Sequence, residues 1–243
     1  MKTVHFVRHG ETEQNKDGIW QGHTNTQLSK TGKAQAKLLS KRINLKNQTV
    51  FTSDLARAKE TAYFLSDSPN VRENLREINV GDFTGKSVKE TYSNNLDIFD
   101  ALQYDTYVFP NGESVQEFKL RVQKEVDHIF DSIDEDSECV VVTHGFFIGT
   151  AIGLVLGFNQ YPYPIGNIQN TSISTVIKRD SVMQVNKFND AIHLPNSYID
   201  YPAKDKSRIL TFIRHGQTDS NTQGVWQGHV DNPLNTYGVE TAK

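Results

Sequence analysis

The chain carries one cysteine, Cys139, in 243 residues. A single thiol can build neither a disulfide framework nor a thiolate metal cluster. Long hydrophobic runs are also missing. The first apolar stretch, Val4 to Val7, is interrupted by His5 and meets charge at Arg8, which is too short for a signal peptide or for the roughly 20 apolar residues of a membrane span. A cytoplasmic protein with no membrane partner is the expectation. Nor is there an excess of positive charge. With 26 Lys and Arg against 29 Asp and Glu, the net charge is -3, which argues against a broad nucleic-acid surface. What remains is a chain with 36% hydrophobic and 23% charged residues, enough for a core and long enough for one to two domains.

An internal repeat divides that length. Arg8–Lys37 and Arg214–Lys243 align without gaps and are identical at 14 of 30 positions. The preceding residues agree in character, Val4-His5-Phe6-Val7 against Leu210-Thr211-Phe212-Ile213. A spacing of 206 residues is far beyond any solenoid period and indicates duplication of a domain. The expected organisation is a catalytic domain over 1–195, a linker over 196–207 and a partial second copy over 208–243. That copy matches only sequence ahead of residue 38, so it is expected to be incomplete as an active site. An isolated strand and helix cannot bury their own apolar faces, so if the chain ends at Lys243 the copy is expected to pack along a sheet edge or in a homo-oligomer, ahead of exchange into the slot of residues 2–37.

Within the first copy, strand and helix signals alternate. Thr3–Val7, Thr49–Thr52 and Cys139–Thr143 read as buried strands. Ser29 caps a helix from Lys30, and Ser53 caps one over Asp54–Leu65. Ser114 and Glu117 form a capping box ahead of Val115, Phe118, Val122, Val126, Ile129 and Ile133, which share one helical face. An apolar helix follows over Phe146–Leu156, then two strands, Thr171–Lys178 and Val182–Lys187, joined at Arg179-Asp180-Ser181 as a candidate antiparallel pair. This order predicts an α/β fold of three layers, a mostly parallel sheet with helices on both faces.

The candidate chemistry sits at three strand ends. Arg8-His9-Gly10 leaves the first, Arg57 lies in the first turn of the helix after the second, and His144-Gly145 leaves another. Carboxyl ends of parallel strands share one side with helix amino termini, a region that attracts anions. If the three strands are neighbours, two guanidinium forks, two imidazoles and free backbone amides converge, a set suited to phosphoryl transfer. Acidic clusters with metal-ligand spacing are missing, so no metal and no cofactor is expected.

The series of motifs resembles the histidine phosphatase, or phosphoglycerate mutase-like, superfamily. Phe6-Val7-Arg8-His9-Gly10-Glu11-Thr12 with Asn15 is similar to its nucleophile loop, and Gln21-Gly22-His23 with Leu28-Ser29 and Gly32 to the segment that follows. Ser53-Asp54-Leu55-Ala56-Arg57-Ala58 resembles the second-arginine motif, and Leu75 to Gly81 the stretch holding the general acid. Asn111-Gly112-Glu113-Ser114, Val142-Thr143-His144-Gly145 and Phe188-Asn189-Asp190 with His193-Leu194 match later motifs in family order.

The resemblance implies a two-step reaction. His9 is the nucleophile. Arg8, Arg57 and His144 bind the phosphoryl oxygens, and Glu77 is the general acid and then base. Asn15, Gln21, Gly22 and Phe146, through its amide, are further phosphate-binding candidates. Competing readings stay open. Arg57 can pair with Asp54 or Glu60 on a surface, Glu73 or Glu11 can replace Glu77, and Trp20 is a pocket wall or core. His23 is read as pocket rim, His5 as structural, His128 as solvated and Cys139 as inert. A mutase should follow Gly81 with a long basic insertion. Here Lys86–Pro110 has only Lys86 and Lys89 as basic members, beside Tyr92, Phe99, Tyr104, Tyr107 and Phe109. The expected function is therefore metal-independent hydrolysis of a small phosphorylated metabolite. Phosphoglycerate mutase-type transfer and non-catalytic binding of a phosphorylated ligand are the alternatives.

Overall fold

The structure is a computed structural model that describes residues 1–43, 48–94, 106–158, 167–195 and 214–242. The expected linker, the expected strand at 209–213, Phe99, Tyr104 and the side chain of Tyr92 lie outside that description. Two compact units form, Met1–Ile199 and Asp200–Lys243.

In the first unit, β1 (Lys2–Arg8) leads to a short helix, α1 (Glu13–Lys16), and then to α2 (Lys30–Arg42). There follow β2 (Thr49–Thr52), α3 (Ala56–Tyr63), β3 (Asn70–Val71), α4 (Val88–Asn94), α5 (Val115–Ser132), β4 (Glu138–Thr143), α6 (Gly145–Val155), β5 (Ile173–Arg179) and β6 (Val182–Asp190). The six strands form one sheet in the order β3-β2-β4-β1-β5-β6. The first four are mutually parallel, and β5 runs antiparallel to both β1 and β6.

Side-chain alternation along the central strands divides the core between two faces. On β1, Val4 and Phe6 join one cluster and Val7 the other; on β4, Cys139 and Val141 oppose Val140 and Val142. The larger cluster receives Phe118, Val122, Val126 and Ile129 of α5 and Phe147, Ile148, Ala151 and Ile152 of α6. The smaller receives Leu39 of α2 and Ala58 and Ala62 of α3. Each fully buried large side chain contributes about 1.5–3 kcal/mol, so the helical stripe on α5 is a principal anchor of its layer. Its start follows the capping box, with Glu117 N donating to Ser114 Oγ at 3.1 Å and Ser114 N to Glu117 Oε2 at 3.0 Å.

One local expectation is corrected. Ser53 does not cap α3. The helix starts at Ala56 with Leu55 in the N-cap position and no side-chain cap. A remote group takes over, because Ala56 N donates to Asn25 Oδ1 at 2.8 Å, while Ser53 Oγ accepts from Leu55 N at 3.3 Å. The loop after Gln21 is thereby tied to the helix that carries Arg57.

Backbone closeness fixes the loop after β1 against α2. A Cβ on Gly32 would lie 2.1 Å from Glu11 O, and one on Gly10 would lie 2.7 Å from Gly32 O. Alanine at Gly32 must push the loop after β1 away from the helix. We expect G32A to lose about 1–3 kcal/mol, read as a lower urea midpoint with an unchanged slope; an unchanged midpoint would show that the contact yields freely.

Candidate active site

The strand order makes the three suspected strand ends neighbours. Arg8 of β1 is in register with Thr143 of β4, and Val142 of β4 with Thr52 of β2. The chain then leaves each strand on the same side. His9 N still donates to Thr143 O at 2.9 Å and Ser53 N to Val142 O at 3.0 Å, so the ladder hands the backbone directly to the site.

His9 is buried, and its two ring nitrogens have different tasks. Nδ1 lies 2.7 Å from Gly10 O, a pure acceptor, so Nδ1 carries the proton and Nε2 the lone pair. Arg57 Nε donates to that Nε2 at 3.3 Å. The rest of the Arg57 guanidinium donates to Thr24 O at 2.7 Å and Gly22 O at 2.8 Å, which excludes the surface pairing with Asp54 or Glu60. Asp54 is held instead by Arg76, its Oδ1 lying 2.8 Å from Nε.

Arg8 donates through Nη1 to Ile168 O and to Asn167 Oδ1. Its buried Nε has no partner among the described residues, and neither ring nitrogen of the fully buried His144 has one. The His144 ring centroid is 5.1 Å from that of His9, tilted by 59°. Buried donors left unsatisfied are costly. Two such donors, Arg8 Nε and one His144 nitrogen, beside the His9 lone pair suit a ligand rich in acceptor oxygens.

Glu77 borders the same cluster. Its carboxylate accepts from Ile78 N at 3.1 Å and, through the other oxygen, from Phe146 N at 3.1 Å. The Phe146 amide, a candidate phosphate donor, is thus engaged by Glu77. His23 Nε2 donates to Glu77 O at 2.7 Å and Arg121 Nη2 to the same oxygen at 3.2 Å, so His23 is a clamp on the Glu77 backbone rather than a bare rim. Asn15 Oδ1 accepts from Thr12 N at 3.2 Å and Gln21 Oε1 from Thr12 Oγ1 at 3.0 Å. Their oxygens are engaged inside the loop, leaving the amide NH2 groups as donors for a ligand. Gly22 contributes through its carbonyl and through a backbone at φ +47°, the region glycine tolerates. Trp20 resolves to core, buried against Phe146 and Phe109 with ring centroids 5.9 and 6.4 Å away.

Sequence reasoning missed Asn170, whose Nδ2 donates to His9 O at 2.9 Å and to Asn15 Oδ1 at 3.3 Å. It also missed Arg121 with Glu113, paired at 2.8 Å. Asn170 stands before a strand with no motif around it; Glu113 lay inside a matched motif and was the available signal. Among the described residues no three His, Cys, Asp or Glu side chains could hold a metal ion, and no helix is long and apolar enough to cross a membrane.

Burial governs the electrostatics. It holds His9 far below the ordinary imidazole range, with Arg57 and Arg8 adding to the effect, and does the same to His144 with help from Arg57. Burial brings Arg57 down to about 10, still cationic at neutral pH. It raises the Glu77 carboxyl, against the pull of the Phe146 amide and Arg57. The signs fix the pH response. Unfolded imidazoles take up protons near pH 6.5 while His9 and His144 stay neutral, so the stability they contribute is complete above that pH and is lost as pH falls below it. Glu77 acts oppositely, costing stability as pH rises from the ordinary carboxyl range through its raised value. We expect the His9 and His144 ring resonances to keep neutral-imidazole shifts from pH 8 to 5.5, and the urea midpoint to fall over that interval. Titration of either ring near pH 6.5 would contradict the burial argument.

Comparison with known proteins places this arrangement. The model of the histidine phosphatase superfamily (branch 1) matches residues 4–191 and again 210–243. A metal-independent phosphoserine phosphatase of Arabidopsis thaliana is 30% identical over 199 residues, 78% of this chain and 82% of that protein. The "Probable phosphoglycerate mutase GpmB" of Enterobacter sp. (strain 638) is 28% identical over 213 residues, 85% and 99% of the two chains. A phosphoserine phosphatase variant of Entamoeba histolytica, solved with phosphoserine, superposes with a TM-score of 0.72 at 28% identity, covering 80% of this chain and 100% of that one. The matched model spans every strand of the sheet and all of the converging side chains, and the chain belongs to the histidine phosphatase superfamily.

Proposed function

We propose that the chain is a phosphatase that hydrolyses a small phosphorylated metabolite without metal, through a phosphohistidine at His9. The observation that carries this reading is the unprotonated Nε2 of His9, held beside Arg57 Nε at 3.3 Å with Nδ1 tied to Gly10 O. Phosphate oxygens replace that contact and satisfy the unpartnered donors of Arg8 and His144. The His9 lone pair then attacks phosphorus, and the bond to the leaving oxygen breaks. Protonated Glu77 gives its proton to that oxygen. In the second step Glu77, now a carboxylate, takes a proton from water as the water oxygen attacks phosphorus and the N–P bond breaks, returning His9 and a protonated Glu77. Arg8, Arg57 and His144 stabilise the charge on the equatorial oxygens in both steps. Relatives named as phosphoserine phosphatases support a small substrate.

The mutase-named relative favours a second reading, in which the phosphoryl group returns to another hydroxyl. The scarcity of cations in Lys86–Pro110 opposes it. Lys86 itself lies over the Phe83 ring, 5.6 Å from its centroid. Inorganic phosphate released from a phosphorylated sugar acid, with no positional isomer formed, separates hydrolysis from transfer.

Turnover of nitrophenyl phosphate is expected to survive EDTA, to fall by about 10³-fold or more in H9A and to be unchanged in H215A, because the second copy offers no Arg57, Glu77 or His144 equivalent within residues 214–242. Activity returning only with added divalent metal, or residual H9A activity removed by H215A, would overturn that assignment. For Glu77 the leaving group decides. E77Q should lower turnover of an alkyl phosphate by about 100-fold or more and that of nitrophenyl phosphate far less, since a good leaving group needs little protonation; equal losses would reduce Glu77 to a structural carboxylate.

A further inference from the structure

The closing motif, Asn189-Asp190 with His193-Leu194, plays no part in the reaction as written, yet Asn189 and His193 bond to residues 167–171, which in turn hold Arg8 and His9. Arg42 pairs with Asp190 and donates to His193 Nδ1 at 3.1 Å, which leaves the His193 proton on Nε2. That nitrogen lies 3.1 Å from Thr171 Oγ1. The Thr171 hydroxyl donates in turn to Asn170 O at 2.7 Å, so it accepts from His193. Thr171 is fully buried with φ +60°, a conformation costly for a β-branched residue that persists only where its surroundings over-determine it. From that geometry Thr171 N donates to Arg8 O at 2.9 Å, and Asn170 Nδ2 reaches His9 O at 2.9 Å.

Asn189 supports the same segment from its other end. Its Oδ1 accepts from Gln169 N at 2.8 Å and its Nδ2 donates to Asn167 O at 3.0 Å. Asn167 Oδ1 and Ile168 O are the groups that receive the Arg8 guanidinium. Among the described residues, the Arg8 guanidinium, Arg8 O and His9 O are held by residues 167–171, while Arg8 N donates to the adjoining Ser172 O at 3.3 Å, and the closing motif fixes both ends of residues 167–171.

We propose that His193 and Asn189 are positioning residues for Arg8 and His9, acting through residues 167–171. The kinetic part of this proposal rests on His9 being the nucleophile; the binding part rests only on Arg8 facing phosphate. The test uses the full chain with three variants. H193F removes the donor to Thr171, H193Q keeps a donor near Nε2, and N189G keeps the backbone at φ +51° while removing both side-chain bonds. Nitrophenyl phosphate turnover, the inhibition constant of inorganic phosphate and the melting temperature are measured for each, beside I129V, a core change in α5, outside residues 167–171, that lowers stability. We expect H193F and N189G to weaken phosphate inhibition about 10-fold and lower kcat/KM by about 10- to 100-fold, with H193Q within about 3-fold of the native chain. Native kcat/KM and inhibition in H193F and N189G would overturn the proposal. So would equal losses in I129V at a matched melting temperature. If H193F does not fold, N189G and H193Q carry the same comparison. If H9A keeps its turnover, the reaction as written fails, while phosphate inhibition still reports whether Arg8 is held by this brace.

Discussion

The site depends on a buried guanidinium. Arg57 is 1% exposed, and no carboxylate forms an ion pair with it among the described residues. Its charge is instead spread over two backbone carbonyls, Thr24 O and Gly22 O, and the lone pair of His9. A buried cation hydrogen-bonded only to neutral dipoles is expensive, and Glu77 is the acidic group near enough to favour its charged form. On the proposed reading, an anion entering the site gains charge-assisted bonds to Arg57 and Arg8. Burial, with these cations adding to it, holds both imidazoles well below their ordinary range.

Glu77 shows the balance from the opposite side. Two amide donors and two nearby cations favour its ionised form, and burial favours the neutral one; burial prevails. Arrival of a dianion adds repulsion against the ionised form and pushes in the same direction as burial. Glu77 and the His9 cluster are therefore coupled through the field as well as through the Phe146 amide, which leaves α6 beside His144 and lands on Glu77.

Legibility from sequence followed the range of the interactions. The capping box at Ser114, the stripe on α5 and the continuous apolar run of β4 are local patterns, and each element formed where the pattern placed it. The strand ends were readable as candidates, but their adjacency was not, because it depends on the sheet order β2-β4-β1, set by burial of two faces at once. The start of α3 was misplaced for the same reason: Asn25, thirty-one positions from Ala56, supplies what Ser53 was expected to. Arg121 and Asn170 act through backbone carbonyls of distant segments, and no spacing rule exposes such a contact. Resemblance to a family supplied the chemical roles; composition and periodicity alone stopped at an anion-attracting edge.

The second copy separates what a short sequence encodes by itself from what a domain must add. Over residues 214–242 the nucleophile-loop geometry reappears. Thr218 and Asn221 form the capping box that Thr12 and Asn15 form, His215 Nδ1 lies 2.8 Å from Gly216 O, and a Cβ on Gly216 would meet Gly238 O at 2.6 Å, as Gly10 meets Gly32. All of these contacts lie within 30 residues and need no sheet. The differences lie in what a fold supplies. Trp20 is 7% exposed and its counterpart Trp226 is 99% exposed; His9 is buried and His215 open. The tautomer-fixing bond is therefore a local feature, whereas burial of the imidazole is not. The depressed pKa of the His9 imidazole, the guanidinium at its Nε2 and the buried Glu77 carboxyl beside them all depend on strands and helices that the loop must join, so burial, unlike the loop geometry, is not encoded within 30 residues.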